Sequence, residues 1–280
     1  MSAPTVLITG TSTGIGLETA VGAARAGWRT VATLRDLARA DRLRAAADAA
    51  GVADLLDVRL LDVVDHAEVA ACVADVVARH GRLDAVVNNA GAGHVGTLEQ
   101  ETVEDVRAVM EVNFFGVLHV TRAALPHLRA TRGRLITVTS VGGVVGQPFN
   151  EAYCAAKFAV EGFMESLAPV AATVGVSVTV VEPGAVASEF VANVGLDPEA
   201  AIAAAGVYGP ALRAYLDRTA AAFAAAQSPA DAAAAVVATL VDPEPAPRVQ
   251  TSPAARQFVG VKLADPDGLG VTSLTAGWVR

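Results

Sequence analysis

The stretch Thr5-Val6-Leu7-Ile8-Thr9-Gly10-Thr11-Ser12-Thr13-Gly14-Ile15-Gly16 holds the fold in miniature. A β-branched apolar run, Thr5–Thr9, ends on a glycine. Gly10, Gly14 and Gly16 then lead into Ile15–Ala26, whose apolar residues recur at helical spacing. The same alternation continues along the chain. Thr30–Leu34, Val58–Leu61, Asp84–Asn88, Leu135–Thr139 and Val176–Val181 are short and almost continuously apolar, as strands buried on both faces of a parallel sheet are. Between them lie Leu37–Ala50, His66–His80, Val103–Arg132 and Ala152–Thr173, each with a helical pattern. The alternation predicts a doubly wound parallel α/β sheet of about seven strands, with right-handed crossovers placing helices on both faces.

Val186–Val241 turns to alanine-rich helix, punctuated by Pro198, Pro210 and Pro229, with Ser228-Pro229 reading as a helix start. Pro243, Pro245 and Pro247 form a stiff connector to a last strand, Arg248–Thr251, and Lys262–Arg280 reads as loop or short helix. No internal repeat is seen. The chain reads as one domain, 1–280, with a variable substrate-binding segment at 186–226 and a C-terminal extension at 242–280.

Composition narrows the function. The net charge is −8 and no basic stripe is visible, which argues against a nucleic-acid partner. Of the 280 residues 53% are hydrophobic, 60 of them alanine, and only 18% are charged, so most of the chain is expected to fold around a core. Mean hydropathy is +0.44, yet the largely apolar stretch Ala232–Val241 is half the length of about 20 residues that a membrane span needs. No basic segment precedes the first strand, and the two cysteines, Cys72 and Cys154, imply no disulfide framework. A cytoplasmic protein with no membrane span and no metal site is expected.

The segment Gly10, Thr11, Ser12, Thr13, Gly14, Ile15, Gly16 follows a strand and opens a helix. Glycines there let the backbone approach a pyrophosphate, and the helix N-terminus offers free N–H groups and a positive dipole end. A dinucleotide is the expected ligand. Its 2′ position falls at the end of the second strand, Leu34-Arg35-Asp36. Arg35 is the first residue past that strand and would pair with a 2′-phosphate, helped by the Thr13 hydroxyl, so NADP(H) is favoured. Asp36, 20 positions after Gly16, would instead hold a ribose diol, leaving NAD(H) as the alternative. Asp62 and Val63 end the third strand, where an aspartate can accept from an adenine amino group. Asn88, Asn89, Ala90 and Gly91 end the fourth, where small residues and amides can pass close to the cofactor ribose.

Tyr153 and Lys157 are four apart in a helical stretch and share a face. The chain has only two lysines, Lys157 and Lys262, so the pairing leaves little room for coincidence. Free tyrosine titrates near 10, and a neighbouring ammonium favours the phenolate, which brings the phenol toward working pH. Ser140 follows the fifth strand, where its hydroxyl could hold a substrate oxygen. Asn113 sits inside a helical stretch despite poor propensity; packing around a bound water is one reason for it, and by itself it reads as an amide on the helix surface.

Together these residues resemble the short-chain dehydrogenase/reductase family. The Gly10–Gly16 run, Asn88–Gly91, Asn113, Ser140, Tyr153-x-x-x-Lys157 and Pro183-Gly184 stand in its order and spacing over about residues 4–190. The resemblance implies a Rossmann-type fold and a tetrad: Tyr153 as acid/base, Ser140 holding the oxygen, Lys157 lowering the phenol's pKa and binding ribose, Asn113 anchoring a relay water. It also places Pro183, Gly184, Val186 and Ser188 at the cofactor, with Ser188 where the family usually has threonine.

Within the family, Ser140–Gly143, Gln147–Cys154, Ala32–Leu37 and Asp265–Gly268 are similar to the branch of oestrogenic 17β-hydroxysteroid dehydrogenase and photoreceptor retinol dehydrogenase. That branch implies NADP and a bulky apolar alcohol or ketone, although segment 186–226 holds no histidine to grip a steroid hydroxyl. Val144, Val145, Phe149, Phe190, Tyr208 and Tyr215 are candidates for an apolar pocket or for plain core. A homo-oligomer, dimer or tetramer, is expected through Val103–Arg132 and Ala152–Thr173. Two other readings stand beside this one: an acyl-carrier ketoreductase docking through Arg129, Arg132 and Arg134, and a non-catalytic NADP-binding sensor.

Overall fold

The computed structural model describes residues 3–280 apart from position 193. Among them, seven strands form one parallel sheet: β1 (Thr5–Ile8), β2 (Arg29–Leu34), β3 (Leu56–Leu60), β4 (Ala85–Asn88), β5 (Arg134–Val138), β6 (Ser177–Glu182) and β7 (Arg248–Gln250). Their order is β3-β2-β1-β4-β5-β6-β7. The order reverses between β1 and β4, and an open parallel sheet has its crevice at such a point, outside the carboxyl ends of the strands.

Helices cover both faces: α1 (Gly14–Arg25), α2 (Asp41–Ala49), α3 (His66–His80), α4 (Val103–Met110), α5 (Gly116–Thr131), α6 (Glu151–Ala172), α7 (Glu189–Ala192), α8 (Pro198–Ala204), α9 (Gly209–Ala224), α10 (Pro229–Val241), α11 (Pro253–Leu263) and α12 (Leu269–Ala276). Side chains alternate across each strand and so build two cores. Leu7, Val31, Val86 and Leu135 face α3, α5 and α6, meeting Val73, Val120 and Met164. Val6, Ile8, Val87 and Ile136 face the other way, meeting Leu17, Leu43, Val236 and Leu240. Alanine and glycine let helices approach closely on this second face; a Cβ on Gly22 of α1 would stand 2.8 Å from Val237 of α10.

Sheet and helix bounds depart from the sequence reading at a few places, each with a local cause. β3, an edge strand, begins at Leu56, where its pairing with Thr30 of β2 starts. Its Asp57 and Arg59 are half-exposed and pair with each other at 2.8 Å, and Asp57 also meets His80 at 2.9 Å. The long stretch Val103–Arg132 is two helices joined by a π-helical turn, Glu111–Phe115. The tail is helical through α11 and α12 to a final 3-10 turn at Gly277–Val279. As expected, Ser228 caps α10 ahead of Pro229, its hydroxyl accepting from the Asp231 N–H at 3.1 Å. Among the described residues no helix is long and apolar enough to cross a membrane.

Candidate active site

One cavity of about 460 Å³ opens at the carboxyl ends of the strands and runs from the glycine loop to the C-terminal turn. Its first half is built by β1 and α1. Gly10 and Gly14 take positive φ, +70° and +60°, which side chains rarely adopt. A Cβ on Gly10 would stand 2.8 Å from the Ala90 backbone, and one on Gly16 would run into the Gly10 carbonyl and the Asn89 amide. Asn89 locks this loop, its Nδ2 donating to the carbonyls of Thr9 at 2.9 Å and Gly10 at 3.0 Å. Thr9 returns the bond, its hydroxyl accepting the N–H groups of Asn89 and Ala90.

Helix α1 starts at the cavity with no side-chain cap on Thr13 and no acidic residue in its first turn. Free N–H groups and a positive helix end therefore face the space, and the donor set fits a pyrophosphate.

Gly10, Ser12, Thr13, Gly14, Ile15 and Gly16 line the cavity, while Thr11 does not. Thr11 is fully buried, and its hydroxyl donates to the Thr33 carbonyl at 3.1 Å, tying the loop to β2. Arg35, Asp62, Val63, Asn89, Ala90 and Gly91 are on the wall. Asp36 lines it too, but its carboxylate accepts the Ala38 N–H at 2.9 Å and caps a 3-10 turn. Asp62 is similarly engaged by the Val64 N–H at 3.2 Å. Asn88 braces the interior, donating to the hydroxyls of Thr121 at 3.2 Å and Thr137 at 3.3 Å. Sequence reasoning missed Arg39, a second guanidinium-bearing residue on this wall. Its only sequence signal is its closeness to Arg35.

The second half gathers Ser140, Tyr153 and Lys157. Ser140 follows β5, and its hydroxyl accepts the Gly142 N–H at 3.0 Å and stands close enough to the Tyr153 phenol to lower its pKa. Tyr153, Lys157 and Glu161 share one face of α6, one turn apart. The Lys157 ammonium is buried, donates to the Val138 carbonyl at 3.3 Å, and lies 5.8 Å from the centroid of the Tyr153 ring.

Burial pushes the Tyr153 phenol up to about 12, against the opposing pull of Ser140. Burial also draws Lys157 down to about 8, with the negative charge of Glu161 resisting. The expectation that the ammonium would bring the phenol toward neutral pH is therefore corrected: desolvation outweighs it, and the phenol keeps its proton.

Glu161 is itself pushed up to about 7 by burial, even though it accepts from the Thr139 hydroxyl and meets Arg248 at 3.4 Å. Arg248 also meets the fully buried Glu182 at 2.8 Å. Asn113 sits in the π-helical turn, fully buried. Its carboxamide donates to the Ala92 and Val109 carbonyls at 2.9 and 3.0 Å and accepts the Ala92 N–H at 3.2 Å. It is not on the cavity wall; a Cβ on Gly91 would stand 2.9 Å from its Oδ1 and 3.5 Å from the Lys157 ammonium.

Pro183, Gly184, Val186 and Ser188 line the cavity beyond β6. The outer wall differs from the expected one. Phe190 and Tyr215 contribute, Phe190 meeting the Tyr153 ring edge-on at 5.9 Å. Val144 and Val145 are instead core beneath α11, and Phe149 is core against Tyr215. Tyr208 is exposed and donates to Glu99 at 2.9 Å. In their place stand His94, Gln147, Asn150, Arg218, Phe223 and Trp278, from loops and helices remote in sequence. His94 Nε2 lies 2.9 Å from a Glu101 carboxylate oxygen, without the alignment of a hydrogen bond. Arg134 opens β5 and Ser140 lies past its other end, so Arg129, Arg132 and Arg134 stand at the opposite edge of the sheet from the cavity.

Comparison with known proteins agrees with this geometry. Residues 4–199 match the short chain dehydrogenase family, and the chain belongs to it. It is an oxidoreductase acting on CH–OH groups, with an NAD(P)-binding fold. Retinol dehydrogenase 8 of Bos taurus is 37% identical over 94% of this chain and 86% of its own length. Estradiol 17-beta-dehydrogenase 1 of Rattus norvegicus is 38% identical over 96% of this chain and 79% of its own length. A short-chain dehydrogenase structure from Streptomyces avermitilis superimposes with a TM-score of 0.77 at 30% identity, covering 99% of this chain and 96% of that one.

Proposed function

We propose that this protein is an NADP(H)-dependent oxidoreductase that interconverts a secondary alcohol and a ketone, or an aldehyde, on an apolar substrate of steroid- or retinoid-like size. The observation that carries the reading is the meeting of Ser140, Tyr153 and Lys157 on one cavity with the glycine loop. Arg35 and Arg39 on the wall, with Asp36 engaged in its own cap, favour a 2′-phosphate over a bare ribose diol.

When bound, the nicotinamide supplies or accepts the hydride. Tyr153, protonated at neutral pH, gives its proton to the carbonyl oxygen during reduction. Ser140 holds the same oxygen through its hydroxyl. Lys157 supplies a buried positive charge beside the phenol and a donor for a ribose hydroxyl. In this reading a water held between Asn113 and Lys157 returns the proton to Tyr153. Segment 186–226 and the extension 242–280 shape the substrate half of a single domain.

A homo-oligomer through α5 and α6 is part of the same reading, supported by the half-exposed Phe115 and Phe158. The two free cysteines suit the cytoplasm. The test is a screen of steroid, retinoid and aromatic ketones with both cofactors, in wild type and Tyr153→Phe. Turnover with NADPH is expected to fall at least 100-fold in the variant, taking about the lower bound for a general acid. NADPH binding, read by its fluorescence, stays within about twofold, because the phenol does not hold the phosphates. A variant that keeps a tenth of the wild-type rate removes Tyr153 from the proton transfer.

A further inference from the structure

The outer end of the cavity holds a cation without a protein partner. Arg218, on α9, lines the wall with its guanidinium carbon 4.4 Å from the centroid of the Trp278 ring. Among the described residues it enters no ion pair and no hydrogen bond. Arg213, on the same helix, is instead held as a fork by both oxygens of Glu199, at 3.0 and 2.9 Å. A guanidinium laid on an aromatic face is pre-oriented and keeps its N–H edge free, the geometry that takes a carboxylate bidentately. Of the neutral polar groups on the wall, the Tyr215 hydroxyl accepts from the Asn150 amide at 2.6 Å. The same cavity wall that carries Arg218, Ser140 and Tyr153 also presents the apolar Val95, Phe190, Ala222 and Phe223. In a chain of net charge −8, an unpaired cation at this place is a local feature and not part of a general positive field.

We propose that the substrate carries a carboxylate remote from its reacting carbon, and that Arg218 holds it. The substrate class is thus a keto or hydroxy acid with an apolar body. This rests on the oxidoreductase reading above and adds the chemistry of the far end. Arg218 is exposed at the cavity mouth, so the pair gains from orientation and from the Trp278 platform more than from burial, and an effect of about tenfold is expected.

The test compares a ketone ending in a carboxylate with its methyl ester, by kcat/KM with NADPH, in wild type, Arg218→Gln and Arg218→Lys. Wild type should prefer the acid about tenfold, Arg218→Lys should keep part of that preference, and Arg218→Gln should bring the ratio near one. A ratio that Arg218→Gln leaves unchanged overturns the proposal. So does a phosphopantetheine thioester that depends on Arg218 more strongly than the acid does.

A second readout does not need turnover. The chain has two tryptophans, so Trp28→Phe leaves Trp278 as the sole emitter. Titration with a non-reducible arylalkanoate should shift Trp278 emission, and its methyl ester should not; Arg218→Gln should abolish the shift. That pattern without reduction of any ketone would leave the anion site standing and remove the catalytic reading. Equal responses to acid and ester would remove the anion site.

Discussion

The phenol of Tyr153 and the ammonium of Lys157 respond to one cause in opposite senses. Desolvation disfavours the charged form of each, so the phenol rises to about 12 and the ammonium falls to about 8. At neutral pH both hold protons, which suits donation to a carbonyl. Ketone reduction should therefore weaken as pH climbs through about 8 and Lys157 loses its charge.

Glu161, one turn further along α6, opposes that loss. Its own carboxyl faces Lys157 from the same helix, Glu182 from β6 and Arg248 from β7. Glu161→Gln should move the alkaline limb of the kcat/KM profile to lower pH. A limb that stays in place means another group is titrating. The same carboxyl has a signature in stability. Its folded pKa, about 7, lies above its ordinary 4.5, so the folded state binds the proton more tightly and stability falls as pH rises across that interval. Urea melts at several pH values should show a smaller decline over this window in Glu161→Gln.

Among elements, the π-helical turn between α4 and α5 departs most from the pattern in the sequence. The helical spacing of Val103–Arg132 was readable, but the extra residue in the turn was not, because apolar periodicity does not register a single wide turn. Such bulges cluster at functional sites. Here the turn carries Asn113 into the interior, where its carboxamide clamps Ala92 beside Gly91. Its poor helix propensity was the one local hint. Asn113→Leu strands the Ala92 backbone groups and should cost about 1–3 kcal/mol, read as a lowered denaturation midpoint. It should also cut kcat at least tenfold, about one broken positioning contact, by freeing the loop beside Lys157. A kcat within twofold of wild type would show that the clamp is structural only.

Taken whole, the chain closes on its own site. α9 and the C-terminal turn come together at the cavity mouth, where Trp278 stacks on Phe258 with ring centroids 5.6 Å apart and lies under Arg218. The extension past β7 is therefore part of the cavity wall. Trp278→Ala should lower kcat/KM for bulky apolar ketones about tenfold, the loss of one large aromatic contact surface, and leave NADPH binding within about twofold. Isothermal titration with the cofactor and steady-state kinetics with a large and a small ketone check it. Equal losses for the two ketones would argue that Trp278 supports the fold and not the wall.

The sequence by itself determined the parallel sheet, the glycine loop between β1 and α1, and the Tyr153–Lys157 pair with Ser140 ahead of it. These are readable because each depends on local spacing: a strand's continuous apolar run, a turn that only glycine allows, a helix that repeats its face every four residues. Tertiary structure alone decided the outer cavity wall and the charge around Lys157. His94, Arg218 and Trp278 come from separate parts of the chain, as do Glu161, Glu182 and Arg248. Nothing in their neighbours along the chain marks them, because their roles arise only from long-range packing. Thr11 shows the converse: it belongs to the glycine run by spacing, yet packing turns its hydroxyl away from the cavity and onto β2.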